Sequence, residues 1–325
     1  MIVGGGPSIW AVALNPSLDK TLSVPQWRPG AVLRAQVLGE DYGGKGVNVA
    51  RAARILGLPC RLIGFAGGWT GQAMVAGLTA AGYAVQFIEV EGETRRNITL
   101  LDEATGIYTK INEPGPIVGP RHLAAFEALV GQSAGPDTLW AFSGRLPPGA
   151  PADFYGRLIR LVQERGGLAF LDSSGPELRD GLAACPFALK PNSEEAAELL
   201  GRPLQNDDDH AWAVRRLQGA GIRLVALSRG AQGLVLAMDD ALVIARPPAV
   251  PARSPIGAGD AALTGLLWAV SEGCDPVETA RRAVACGTAA AMQEGTGLGD
   301  RALIEGLLAR VEVSIPGEYH GPRIF

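Results

Sequence analysis

Residues Ser254-Pro255-Ile256-Gly257-Ala258-Gly259-Asp260-Ala261-Ala262-Leu263-Thr264-Gly265 decide how this chain is read. Leu263, Leu266, Leu267 and Val270 fall at i, i+3, i+4 and i+7, one face of a helix. Gly257, Ala258 and Gly259 therefore stand where a helix begins. Unpaired N–H groups gather at such a point, and the helix dipole favours an anion there. Asp260 lies in the first turn, beside that anion site. A phosphoryl-transfer enzyme needs this pairing: donors for the moving phosphate and a base for the attacking hydroxyl. The same residues also make an ordinary capped helix start, so the rest of the chain has to choose.

Two other glycine readings fail on context. Gly257-x-Gly259-x-x-Ala262 imitates a dinucleotide fingerprint, with Glu278 downstream. Pro247, Pro248, Pro251 and Pro255 stand where a tight strand-to-helix turn is required, which argues against a dinucleotide oxidoreductase. Gly39 to Lys45 nearly spells a phosphate-binding P-loop, but Gly46 replaces the hydroxyl that would meet Mg²⁺. The glycines still open a helix, and Lys45 brings a cation to its N-terminus. That combination suits an anionic or polyhydroxyl ligand.

The surrounding pattern is α/β. Trp10–Leu14 reads as a strand, and a helix follows Gly46 with Val49, Ala52, Ala53 and Leu56 on one face. After Pro120 the spacing predicts strands at 138–143, 168–172, 186–190 and 223–228. Helices at 121–131, 151–165, 193–200 and 208–219 alternate with them, with Ser193 as a plausible N-cap. A hairpin at 233–245 turns at Asp239-Asp240, and helices near 258–272, 276–293 and 300–312 follow. Such alternation implies a mainly parallel sheet covered on both faces. Two β-like excursions, 20–42 and 93–113, interrupt it. Their pairing as a small separate sheet would form a lid over the strand carboxyl ends, where ligands bind in open α/β folds.

Composition narrows the function. The chain has 325 residues, is 47% hydrophobic and 19% charged, and carries a net charge of −4. A large core is expected, and with no basic stripe neither nucleic acid nor an anionic membrane is an expected partner. No apolar run is long enough for a membrane span. Cys60, Cys185, Cys274 and Cys286 are widely spaced, so a disulfide framework or Cys/His metal site is not expected; a reducing cytoplasm is. The glycine-rich start, Met1–Leu14, lacks the features of a signal peptide.

Further segments follow strands or enter the β excursions. Lys190-Pro191-Asn192-Ser193-Glu194-Glu195 ends a strand and starts a helix, and Asn192 and Glu195 are oxygen donors suited to water around Mg²⁺. Ser228-Arg229-Gly230-x-x-Gly233 offers backbone and hydroxyl donors to phosphates, or makes an ordinary turn. Thr94-Arg95-Arg96-Asn97 brings two arginines to the second excursion, where bidentate phosphate binding is one use and a solvated edge another.

The order of these elements, from Asp19 through Gly43-Gly44-Lys45-Gly46-x-Asn48, Thr94-Arg95-x-Asn97, Ser143-Gly144-x-Leu146-Pro147-Pro148-Gly149 and Lys190-Pro191-Asn192-x-x-Glu195 to Gly257-Ala258-Gly259-Asp260, resembles the ribokinase-like (PfkB-type) carbohydrate kinases. The resemblance runs from about Trp10 to Gly299. Leu14-Asn15-Pro16-Ser17-Leu18-Asp19-Lys20-Thr21 and Ile111-Asn112-Glu113-Pro114-Gly115-Pro116 look like the phosphosugar branch, which holds 1-phosphofructokinases and tagatose-6-phosphate kinases. It implies a ribokinase-like three-layer sandwich, one kinase domain over 1–325, and a lid that often pairs with a second copy as a homodimer.

The activity it implies is ATP- and Mg²⁺-dependent phosphorylation of a hexose phosphate, with fructose 1-phosphate the expected substrate. Tagatose 6-phosphate and fructose 6-phosphate are alternatives within the branch; an unphosphorylated sugar or nucleoside, or a non-catalytic sugar-phosphate sensor, lies outside it. By resemblance, Asp260 is the base, and Gly257, Ala258 and Gly259 form the anion hole. Asp19, Gly44 and Asn48 hold sugar hydroxyls, and Lys45 and Arg95 meet the substrate's phosphate. Lys190, Asn192, Ser228, Gly230 and Gly233 line the nucleotide site, and Asn192 and Glu195 organise the metal, largely through water. Departures are Arg145, where serine is usual, Arg229, where an aliphatic residue is usual, and the extra Arg96. An added cation at Arg145 points to substrate phosphate or to a different sugar.

Overall fold

The computed structural model describes residues 7–316; Met1–Gly6 of the glycine-rich start and 317–325 of the tail lie outside it. The chain forms β1 (Ser8–Ala13), β2 (Ser17–Val24), β3 (Gln36–Gly43), α1 (Lys45–Ile55), β4 (Cys60–Gly67), α2 (Gly68–Ala80) and β5 (Ala84–Val90). Then come β6 (Arg95–Asp102), β7 (Ile107–Asn112), α3 (Pro120–Ser133), β8 (Thr138–Ser143), α4 (Phe154–Glu164), β9 (Leu168–Asp172), α5 (Gly175–Leu182) and β10 (Ala188–Leu189). The last third holds α6 (Ser193–Leu200), α7 (Asp207–Gln218), β11 (Leu224–Ser228), β12 (Leu234–Met238), β13 (Ala241–Arg246), α8 (Ala258–Ser271), α9 (Pro276–Ala291), α10 (Arg301–Leu308) and β14 (Glu312–Ser314).

One ten-stranded sheet has the order β14-β13-β12-β11-β10-β9-β8-β1-β4-β5. Strands β11 through β5 in that order pair in parallel; β12, β13 and β14 add antiparallel at one edge. Alternation along β1 builds the layers. Ile9, Ala11 and Ala13 enter a core shared with α1, α2, α8, α9 and α10. Trp10, Val12 and Leu14 enter the opposite core, shared with α3, α4, α6 and α7. From β1 the sheet grows one way to β4 and the other way to β8. The carboxyl ends of β1 and β8 thus flank the point where strand order reverses, the expected ligand crevice of an open α/β sheet.

The two excursions form a second, four-stranded sheet, β3-β2-β6-β7. β2 pairs antiparallel with β3 but parallel with β6, and β6 and β7 make the hairpin. Its faces differ. Ser17, Asp19, Arg95, Asn97 and Asn112 share one, while register puts Leu18, Leu22, Val37, Ile98, Leu100, Ile107 and Ile111 on the other.

Three local readings need correction. Asn192, not Ser193, caps α6, because its carbonyl oxygen reaches the Glu195 N–H while Ser193 turns to His210. The strand expected at 186–190 shrinks to two residues, since Pro191 stops its ladder. The last helix stops at Leu308; residues 312–314 instead extend the sheet against β13, a strand too short to show periodicity.

Candidate active site

The floor of the crevice is the start of α8. Gly257 sits at φ 79°, a left-handed conformation that favours glycine. Among the described residues, the N–H groups of Gly259 and Asp260 meet no hydrogen-bond acceptor, so the turn presents free donors. Asp260 is only 5% exposed. The Asn48 amide donates to its Oδ2 at 2.8 Å. Burial pushes the Asp260 carboxyl up to about 6, against the pull of Lys45 and with a further push from Asp172.

Asp172, at the end of β9 and 1% exposed, lies beneath two ammonium groups. Lys45 Nζ is 2.8 Å from its Oδ1, and Lys190 Nζ is 3.0 Å from its Oδ2. Burial alone would raise the Asp172 carboxyl; Lys190 and Lys45 hold it below the usual range. Burial likewise opposes the charge on Lys45, but Asp172 and then Asp260 outweigh it and raise its pKa. The two carboxylates are driven apart: one stays ionised, the other sits near neutrality, as acid–base sites require. Lys190 Nζ is also 3.5 Å from where a Cβ on Gly259 would be, above the free N–H groups.

The small sheet supplies the other wall. Asp19 Oδ1 accepts from Ser17 Oγ at 2.6 Å and from Asn97 Nδ2 at 2.7 Å. A Cβ at Gly43 would fall on the Asp19 carboxylate. Gly44, at φ 104°, precedes α1 and packs against Pro16. Arg95 donates from Nε to the Asn15 carbonyl at 3.1 Å, and no carboxylate among the described residues pairs with it. Burial lowers the Arg95 pKa, against the pull of Asp19, and the charge of Arg145 lowers it further. Arg145 is exposed at the end of β8, next to Gly144, which abuts the Lys45 stem. Arg96 points away and donates to Thr70 Oγ1 on α2 at 2.9 Å. Buried oxygens without donors gather here: Asn15 Oδ1, Asn48 Oδ1, Asn97 Oδ1 and Ser143 Oγ.

At the β10–β11 side, Asn192 and Glu195 lock each other in a capping box: Asn192 Oδ1 takes the Glu195 N–H at 2.8 Å, and Glu195 Oε2 takes the Asn192 N–H at 2.9 Å. Ser228 bridges to Asn192 across the strand ends. Gly230 (φ 56°) and Gly233 (φ 83°) form the following turn, and a Cβ at Gly233 would strike the Ala245 carbonyl. Packing against β13 therefore explains the glycine at 233. Arg229 is buried and, with Arg246, binds Asp207 at the N-terminus of α7. It ties the β11 turn to that helix.

Asp260, Lys45, Asn48, Lys190 and Gly257–Gly259 thus meet at one point, with Asp19, Gly44 and Arg95 on the wall of the small sheet and Arg145 beyond the end of β8, near enough to lower the Arg95 pKa. The pfkB family carbohydrate kinase model matches residues 10–302. This chain belongs to the pfkB family. Its fold is ribokinase-like, and it is a phosphotransferase that acts on an alcohol group. The 1-phosphofructokinase of Rhodobacter capsulatus is 37% identical over 278 residues, 85% of this chain and 88% of that one. The ATP-dependent 6-phosphofructokinase isozyme 2 of Escherichia coli is 32% identical, over 89% of this chain and 94% of that one. A crystal structure of phosphofructokinase-2 from Escherichia coli in complex with potassium has a TM-score of 0.89 at 30% identity, covering 94% of this chain and 99% of that one.

Sequence reasoning missed Asp172, and gave Ser17, Gly43 and Asn97, which stand in its motifs, no role of their own. Asp172 ends a buried strand, Leu168–Asp172, where a carboxylate is out of place in a core run; that was the available signal.

Proposed function

We propose that this kinase transfers the γ-phosphate of ATP to a hydroxyl of fructose 1-phosphate, giving the bisphosphate by direct in-line attack. One observation carries the reading: a buried carboxylate poised near neutrality faces free N–H donors, across the crevice from two arginines without a carboxylate partner. Asp260 takes the hydroxyl proton. The N–H groups of Gly257 and Gly259, with that of Ala258 released from its long 3.4 Å bond to the Pro255 carbonyl, stabilise the charge that builds on the transferred phosphoryl, an effect of about 2.7–4 kcal/mol per donor in comparable sites. Lys190, above those donors, meets ATP phosphate, and Ser228, Gly230 and Gly233 border the nucleotide.

Asp19, Asn48 and the turn at Gly44 hold sugar hydroxyls. The unsatisfied oxygens of Asn15, Asn48 and Asn97 support a polyhydroxyl ligand, because they lack donors that hydroxyls supply. Arg95 and Arg145 bind the phosphate the sugar already carries. Lys45 stands between the two ends, held by Asp172.

The donor set fits Mg²⁺ held mainly through water. Among the described residues no cluster of three acidic, histidine or cysteine side chains forms a metal cage, and Glu195 keeps Oε1 outside its capping box. Bound with ATP, Mg²⁺ neutralises charge on the phosphates. Asn192 and Glu195 would hold its water.

Residues 1–325 act as one kinase domain, with 20–42 and 93–113 as the lid. Ile107, Ile111 and Val37 are 61%, 55% and 60% exposed on the lid's apolar face, which supports pairing with a second copy as a homodimer. No described helix is long and apolar enough to cross a membrane. Four free cysteines fit a reducing cytoplasm.

ADP release over fructose 1-phosphate, fructose 6-phosphate, tagatose 6-phosphate, free fructose and ribose tests the assignment. Fructose 1-phosphate should give the highest kcat/KM. The highest value with an unphosphorylated sugar would overturn it.

A further inference from the structure

We propose that Asn97 is a positioning residue that aims the Asp19 carboxylate at the sugar. The inference rests on Asp19 holding sugar hydroxyls. Asn97 stands on β6 directly opposite Asp19 on β2, in the parallel pair of the small sheet. Its amide nitrogen donates to Asp19 Oδ1 at 2.7 Å and to Ser17 Oγ at 3.0 Å, and Ser17 Oγ itself donates to Asp19 Oδ1 at 2.6 Å. One carboxylate oxygen is thereby fully occupied. The other, Oδ2, lies over Gly43, the residue on β3 whose missing side chain leaves it room.

A carboxylate held through one oxygen keeps the second free in a set direction. Without the amide, Asp19 would rotate about its side-chain bonds, and ordering it on sugar binding would cost entropy. The amide also neutralises no charge. A full negative charge remains on Asp19, so its bond to a sugar hydroxyl stays charge-assisted. The oxygen of the same amide, Asn97 Oδ1, is buried without a donor and borders the crevice. It accepts from a second hydroxyl.

The test is a double-mutant cycle in the full chain, with Asn97→Ala, Asp19→Ala and both together, read as KM for the acceptor sugar and KM for ATP. Asn97→Ala should raise the sugar KM about tenfold, the loss of one charge-assisted bond. ATP KM and Tm should stay near wild type. In the Asp19→Ala background the same change should raise it only about threefold, because the carboxylate it aims is gone and only the Asn97 Oδ1 contact to the sugar remains to be lost. Asn97→Asp, nearly isosteric, sets two carboxylates side by side. Its sugar KM should be high at pH 8 and recover toward pH 5.5, where the pair shares a proton. Additive effects in the cycle, or a sugar KM for Asn97→Asp that ignores pH, would overturn the proposal. The acceptor used is whichever sugar the wild type turns over best. A preference for a free sugar would count against the phosphosugar reading alone and leave the cycle readable.

Discussion

The floor of the crevice and the wall made by the small sheet solve opposite electrostatic problems. On the floor, Asp172, Asp260 and Lys190 are 1%, 5% and 5% exposed, and two ammonium groups face two carboxylates. Charge there is balanced and burial does the tuning. On the wall, Arg95 and Arg145 lie near each other and, among the described residues, neither forms an ion pair, although Asp19 pulls on Arg95; solvent reaches Arg145. Charge there is unbalanced and awaits a ligand. The difference teaches where each task sits. A proton is moved by groups that water cannot level; an anion is captured by groups that water can leave. Losses on the floor should appear in kcat or stability, and losses on the wall in the sugar KM.

The sharpest break is Asp260→Asn. Turnover should fall by about 10²–10⁴, the range of general-base catalysis. Burial holds this carboxyl up at about 6, so its charge at pH 7 opposes folding. The sign follows: a raised folded pKa gives stability at low pH that is lost as pH rises through about 6. The asparagine variant should therefore melt at or above the wild-type temperature at pH 7 while being nearly inactive. In the wild type, kcat/KM should drop about tenfold per unit below pH 6, where the base is protonated.

Asp172→Ala should do the reverse on stability. It leaves Lys45 and Lys190 without their shared carboxylate, a loss of about 3–5 kcal/mol for a broken buried pair, measured by urea unfolding. Two carboxylates a few residues from one another in space would then differ in sign. If both variants destabilise alike, the balanced-floor account fails.

On the wall, Arg95→Ala should raise the sugar KM about ten- to a hundredfold, with ATP KM unchanged. A fall in kcat at constant KM would instead place Arg95 with the chemistry. The smallest effect is expected behind the wall. On the proposed pairing of two lids, the wild type should sediment as a dimer and Ile111→Lys on the apolar face as a monomer, with Tm changing little, because Ile111 is already 55% exposed.

Much of this is legible in the sequence. The 3.6-residue spacing after Gly259 and the β-like runs at 20–42 and 93–113 pointed to the helix start and to the small sheet. Strands 138–143 and 168–172 fall where alternation puts them. What was hidden is non-local. Asp172 gains meaning only because sheet order sets β9 beside β10 and α1 above it, bringing Lys190 and Lys45 to one carboxylate. Asn97 meets Asp19 through a parallel register between β2 and β6, and periodicity shows which residues share a face but not which stand opposite. Asn192 and Ser193 are both good caps by type, and only the chain's direction into α6 separates them. Arg229, a departure where an aliphatic residue is usual, is taken by Asp207.

The central claim is that the wall reads a phosphate. Its direct test is the ratio of kcat/KM for fructose 1-phosphate to that for free fructose, in the wild type and in Arg95→Ala/Arg145→Ala. Two charge-assisted contacts predict a wild-type preference of about 10³ or more, most of it lost in the double variant. A wild type indifferent to the phosphate, or a double variant that keeps the full preference, would contradict the account.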